Sequence, residues 1–196
     1  MASKSPSLRE LIAQADERGL AASGLACLDR CLPLLASEAD ALRPLWAGLA
    51  YGEKDWSGHL ATARQAMEGT PVEDGTAALV RQMLGAAPSE WEAEPLREWA
   101  DDCSVAALEL HHRFDAGAAT GIPDAADVVE VLKRCRAGEP DGAGPLVAGE
   151  LRRQVRILEI LAEAEGRVGL RQVLDLSIEG QRVLRAVVSR RARVQG

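Results

Sequence analysis

The chain has 196 residues, 47% hydrophobic and 27% charged, with 30 Asp and Glu against 23 Lys and Arg for a formal net charge of -7. At ~100–200 residues per domain this suits a single domain, 1–196, able to bury roughly 70% of its unfolded surface without disulfide or metal staples. An acidic chain repels nucleic-acid phosphates, and no run reaches the ~18 apolar residues of a membrane span, so general nucleic-acid binding and membrane insertion are set aside.

The apolar spacing is helical almost throughout. Ser7 and Glu10 make a capping box after Pro6, and Leu8, Leu11, Ile12 and Ala15 follow one helix face until Gly19 stops the run. Leu25, Leu28, Leu32 and Leu35 form a second stripe that Pro33 should kink or shorten. A third helix is expected from near Ser37, carrying Leu42, Leu45, Trp46 and Leu49, with Pro44 tolerated only in its first turn. Asp55 is the N-cap of a fourth, bearing Trp56, Leu60, Ala63 and Met67 and closed by Gly69; Asp74 to Leu84 is a short fifth.

After a break from Gly85 to Pro88 comes the cleanest seam, Leu96, Trp99, Cys103, Ala106, Leu110 and Phe114, widened by Val105 and Leu108 and expected to be central. Pro123 starts a further helix with Val128, Val131, Leu132 and Cys135 inward and Gly138 at its end. Residues 139–145 read as a loop within the domain, and residues 1–4 and 194–196 as flexible ends. Leu146 to Glu165 and Leu170 to Arg193 should form a long hairpin turning through Gly166-Arg-Val-Gly169. With no alternating strand pattern, the expected fold is all-α: a compact bundle of about eight or nine helices ending in that hairpin.

Charge is segregated along the chain. Glu90, Glu92, Glu94, Glu98, Asp101 and Asp102 fall in one stretch with a single base, Arg97, whereas Arg182, Arg185, Arg190, Arg191 and Arg193 close the chain without an acid. Two such segments either attract within the fold or offer a docking surface to a charged partner. Trp91, amid Glu90, Glu92 and Glu94, fits either a partner anchor or a hydrophobic staple for the helix that follows. Cys27, Cys31, Cys103 and Cys135 lie in apolar stripes and read as buried reduced thiols; Cys27 and Cys31, one turn apart, lack the tight pairs of a structural zinc site.

Signs of catalysis are sparse. Glu109 and His112 have the Glu-x-x-His spacing of carboxylate-bridged di-metal bundles, and Asp115 could orient the imidazole, but no second copy of the motif exists. The alternative reading is a metal-dependent bundle enzyme using Glu109, His112 and Asp115; otherwise His111 and His112 sit at the shoulders of their helix, satisfied by neighbours or water. No nucleotide motif is present, because Gly142-Ala-Gly144 lacks a third glycine and a preceding strand. No cofactor is called for.

Three segments carry a family resemblance: Leu25-Ala-Cys-Leu-Asp-Arg-Cys-Leu-Pro-Leu-Leu35 with Leu42-Arg-Pro-Leu-Trp46; Asp101-Asp-Cys-Ser-Val-Ala-Ala107; and Gly144-Pro-Leu-Val-Ala-Gly-Glu-Leu-Arg-Arg-Gln154. Together they resemble the YjaG-like group of small all-α bacterial proteins, across about residues 8 to 193. The resemblance implies an all-α fold and the bacterial cytosol, and supplies no reaction. Similar helical proteins occur among the immunity proteins of bacterial toxin systems. With no basic n-region and apolar run opening the chain, the expected place is the cytoplasm. The expected function is non-catalytic: a helical protein that binds another protein, possible ligands being small molecules in the third reading, with Glu90, Trp91, Glu92 and Glu94 as the contact residues.

Overall fold

The computed structural model describes residues 5–35, 40–51, 55–68, 75–116, 125–164 and 166–195. The fold is all-α. Its helices are α1 (Leu8–Gln14), α2 (Glu17–Cys31), α3 (Arg43–Tyr51), α4 (Trp56–Met67), α5 (Gly75–Gly85), α6 (Ala93–Ala116), α7 (Ala125–Arg136), α8 (Pro145–Glu163) and α9 (Gly166–Gln195), with a 3-10 turn at Leu32–Leu34.

Local chemistry accounts for most boundaries. The Ser7–Glu10 capping box starts α1, with Glu10 accepting from the Ser7 backbone N–H at 2.7 Å. Gly19 does not stop the first helix, however. Asp16 accepts from the Gly19 N–H at 2.7 Å and caps a new helix, placing Gly19 in the first turn of α2. Pro33 ends α2 by turning the chain into the 3-10 turn, and Pro44 sits at the start of α3.

Gly138, at φ 92°, closes α7: its N–H bonds to Cys135 O and that of Glu139 to Arg134 O, the paired bonds of a Schellman ending. The terminal hairpin turns earlier than its glycines suggest. Gly166 to Gly169 belong to the first turn of α9, and Ala164 ends α8. The expected helix starts near Ser37 and at Pro123, the Gly69 stop, and the ends 1–4 fall outside the described residues; among the described residues the third helix begins at Arg43.

The centre of the molecule is α2, not α6 alone. Every residue from Gly19 to Cys31 is buried, as expected of a helix surrounded on all sides. It packs on α6, α8 and α9, and α6 in turn packs on α8, α5, α1 and α7. Small residues allow the close approach: a Cβ on Gly24 would lie 2.8 Å from the Trp99 ring. One contiguous, mainly aliphatic core that includes Trp46, Trp56 and Trp99 joins α1 through α9.

Candidate protein-binding surface

The outer face of α6 carries the acidic segment. Glu94, Glu98 and Asp102 recur every fourth residue and are exposed; Asp101, on the same face, is half-buried. With Arg97 they meet Arg9, Ile12 and Ala13 of α1 to line an open cleft of about 460 Å³. Glu94 holds Arg97 at 2.8 Å, and Asp101 accepts from Arg136 of α7. Glu98 and Asp102 make no ion pair among the described residues. The negative face therefore keeps surplus charge.

Just upstream, Glu90 and Glu92 are exposed, and Trp91 is half-buried. Trp91 packs edge-on against Trp56, centroids 5.4 Å apart, and Trp56 packs likewise on Trp99 at 6.1 Å. Two of the three rings are anchored through their indoles: Trp56 donates to Pro88 O at 2.7 Å and Trp99 to Met83 O at 2.8 Å. Trp91 is thus fixed at the entrance to α6 with part of its ring in solvent.

Beneath this face runs a polar network that sequence reasoning missed. Arg30 of α2 and Glu150 of α8 are both fully buried, and the guanidinium grips the carboxylate through Nε at 2.9 and 3.1 Å and Nη2 at 2.6 Å. Gln154 donates to Glu150 at 2.9 Å and accepts from Ser104 Oγ at 2.6 Å; Ser104 accepts from Arg136 at 3.2 Å, and Arg136 donates to Asp101. A continuous chain of bonds thus links the core arginine to the acidic cleft. Burial alone would raise the Glu150 pKa, but Arg30, then His111, and the bonds from Arg30 and Gln154 hold it down at about 2. Gly180 of α9 makes room for Arg30, since a Cβ there would fall 2.4 Å from the arginine Cδ. The available signal was an arginine among the leucines of residues 25–35, and a glutamate with a glutamine one turn on in an apolar stripe.

Of the residues of the metal-enzyme reading, Glu109 and Asp115 have other partners. His111 does not sit at a helix shoulder but is buried, with Nδ1 donating to Ala107 O at 2.7 Å and Nε2 3.8 Å from Glu150. His112 is half-buried, and Glu109 pairs with Arg113 at 2.6 Å. Asp115 caps α8, accepting from the N–H groups of Leu146 at 3.1 Å and Val147 at 3.0 Å; Gly144 leaves space for its carboxylate, as a Cβ there would lie 2.4 Å away. Among the described residues, no group of three His, Cys, Asp or Glu is arranged to hold a metal ion.

The four cysteines are free and buried. Burial pushes Cys27 up to about 12 and Cys31 and Cys103 well above the usual thiol range, so these three stay protonated and inert at neutral pH. Among the described residues, no helix is long and apolar enough to cross a membrane. Comparison with family models, with curated proteins and with solved structures found no match.

Proposed function

We propose that this protein acts by binding another protein, through the acidic face of α6 and the Trp91 entrance beside it. The observation that carries the reading is the exposed, four-residue repeat of Glu94, Glu98 and Asp102 lining a cleft. Such a face favours a partner surface rich in Lys and Arg, attracts it over about a Debye length of ~8–10 Å, and repels acidic competitors. A concrete version is neutralisation of a bacterial toxin by covering a basic active-site cleft, in the manner of an immunity protein or antitoxin. The kinship with YjaG-like proteins belongs to the same proposal and assigns no reaction. Buried, protonated thiols suit the cytoplasm as its place of action.

Affinity capture from the native host tests the reading. Wild-type protein should retain a specific partner, and a variant with Glu90, Glu92 and Glu94 changed to Gln, or Glu94, Glu98 and Asp102 changed to their amides, should lose it. Equal recovery by the amide variants would overturn the acidic-surface reading.

A further inference from the structure

The acidic face of α6 and the basic end of α9 do not meet within one copy. Of the ion pairs among the described residues, none joins residues 90–102 to residues 182–193; Arg182, Arg185 and Arg190 are exposed and take part in no such pair. Each copy therefore displays two complementary, unmatched stripes. The basic stripe also begins with an exposed aliphatic side chain, Ile178, 44% accessible. Beside the acidic stripe, Leu79 and Met83 of α5 with Val105 and Ala106 of α6 line a cleft of about 310 Å³ to which Gln82, Asp102 and Glu109 also contribute.

We infer that a second copy of this chain covers the α6 face, its α9 lying antiparallel along α6 with Ile178 over the α5–α6 cleft. The register is specific. Setting Ile178 opposite Val105 brings Arg182 within one residue, or ~1.5 Å of helix rise, of Asp102 and Arg185 opposite Glu98, with both arginines on the Ile178 side of α9. Two of the acids that fall badly in this register, Glu109 and Glu179, are already neutralised. Asp175 comes opposite Glu109, which holds Arg113 at 2.6 Å, and Glu179 holds Arg153 at 3.0 Å. Arg191 is occupied at home, stacked 4.8 Å over Phe114 and donating to the Phe114 carbonyl, which fixes the end of α9 to its own α6. The inference rests on the same acidic face as a binding surface, and it makes the second copy and a basic partner compete for the same carboxylates.

Sedimentation of the purified chain over a range of concentrations tests this. Wild type should self-associate at about 50 mM salt and dissociate at about 500 mM, where screening shortens to a few Å. Glu98→Lys/Asp102→Lys and Arg182→Glu/Arg185→Glu should each weaken association, by up to about fivefold per lost pair and more for the reversal. Mixed in equal amounts, the two variants should associate with each other, because each supplies the charges the other now lacks; misfolded variants could not do so. A wild type that stays monomeric throughout, association indifferent to the reversals, or a mixture that fails to associate would each overturn the inference. A monomeric wild type that still captures a host partner, lost in the amide variants, would overturn self-association alone and leave the proposed function standing.

Discussion

Replacing Glu150 by Gln keeps the side chain's shape but withdraws the carboxylate that grips Arg30 in the core. Both side chains are fully buried, so neither can turn to solvent for relief, and Arg30 Nη1 already lacks a partner among the described residues. The depression of Glu150 from the usual 4.5 to about 2 corresponds to about 3 kcal/mol of preferential stabilisation of the charged form. Removing one member of a buried pair costs ~3–5 kcal/mol in general. Against a total stability of ~5–15 kcal/mol, Glu150→Gln should remove about a fifth or more. Urea unfolding at neutral pH, followed by tryptophan fluorescence and far-ultraviolet circular dichroism, measures the loss. A paired substitution, Arg30→Met with Glu150→Leu, should recover most of it, because it removes the stranded charge together with its partner.

The pH dependence has a definite sign. A carboxylate whose folded pKa is depressed contributes stability above its unfolded value, near 4.5, and loses it as pH falls towards about 2. Wild type should therefore lose stability across that interval, and the paired variant should lose less. A Glu150→Gln protein within ~1 kcal/mol of wild type, or a paired variant no better than the single one, would refute the reasoning.

Two further substitutions probe separate parts of the fold. Burial raises Asp29 to about 6, so its ionised form is disfavoured in the folded state at neutral pH; Asp29→Asn should stabilise at pH 7 by on the order of 1–3 kcal/mol, the gain fading as pH falls from about 6 towards 4, as chemical denaturation at both ends of that range would show. Asp115→Ala should cost ~0.5–2 kcal/mol by uncapping α8, with faster hydrogen exchange at the Leu146 and Val147 amides; unchanged exchange there would count against the capping role.

Much of the helical architecture follows from local sequence. Periodic leucines, the Ser7–Glu10 box, Pro33, Pro44 and Gly138 act within a turn or two of themselves, and the structure uses each as its chemistry suggests. Errors arose where two local signals competed. Gly19 is a poor helix former, but Asp16 three residues before it supplies an N-cap, and the cap prevails. Gly166 and Gly169 resemble a turn, yet packing of Leu170 and Val173 into the core carries α9 back through them. The acidic segment was legible as a run of charge, but not that Glu94, Glu98 and Asp102 share the outer face of α6 while Glu90 and Glu92 precede the helix, because that depends on where α6 begins.

What no local pattern could show was which polar residues meet. Arg30 and Glu150 are 120 positions apart and become a pair only when α8 is laid on α2; Asp115 and the start of α8 are brought together by the packing of α8 on α6. Sequence periodicity determines which face of each helix is apolar, since that depends on neighbours along the chain. Partner choice among the helices depends on shape and on satisfying buried charge across them, and only the tertiary structure decided that. It turned an arginine in a leucine stripe into the centre of the core, and left the acidic and basic stripes of one chain facing outward and apart.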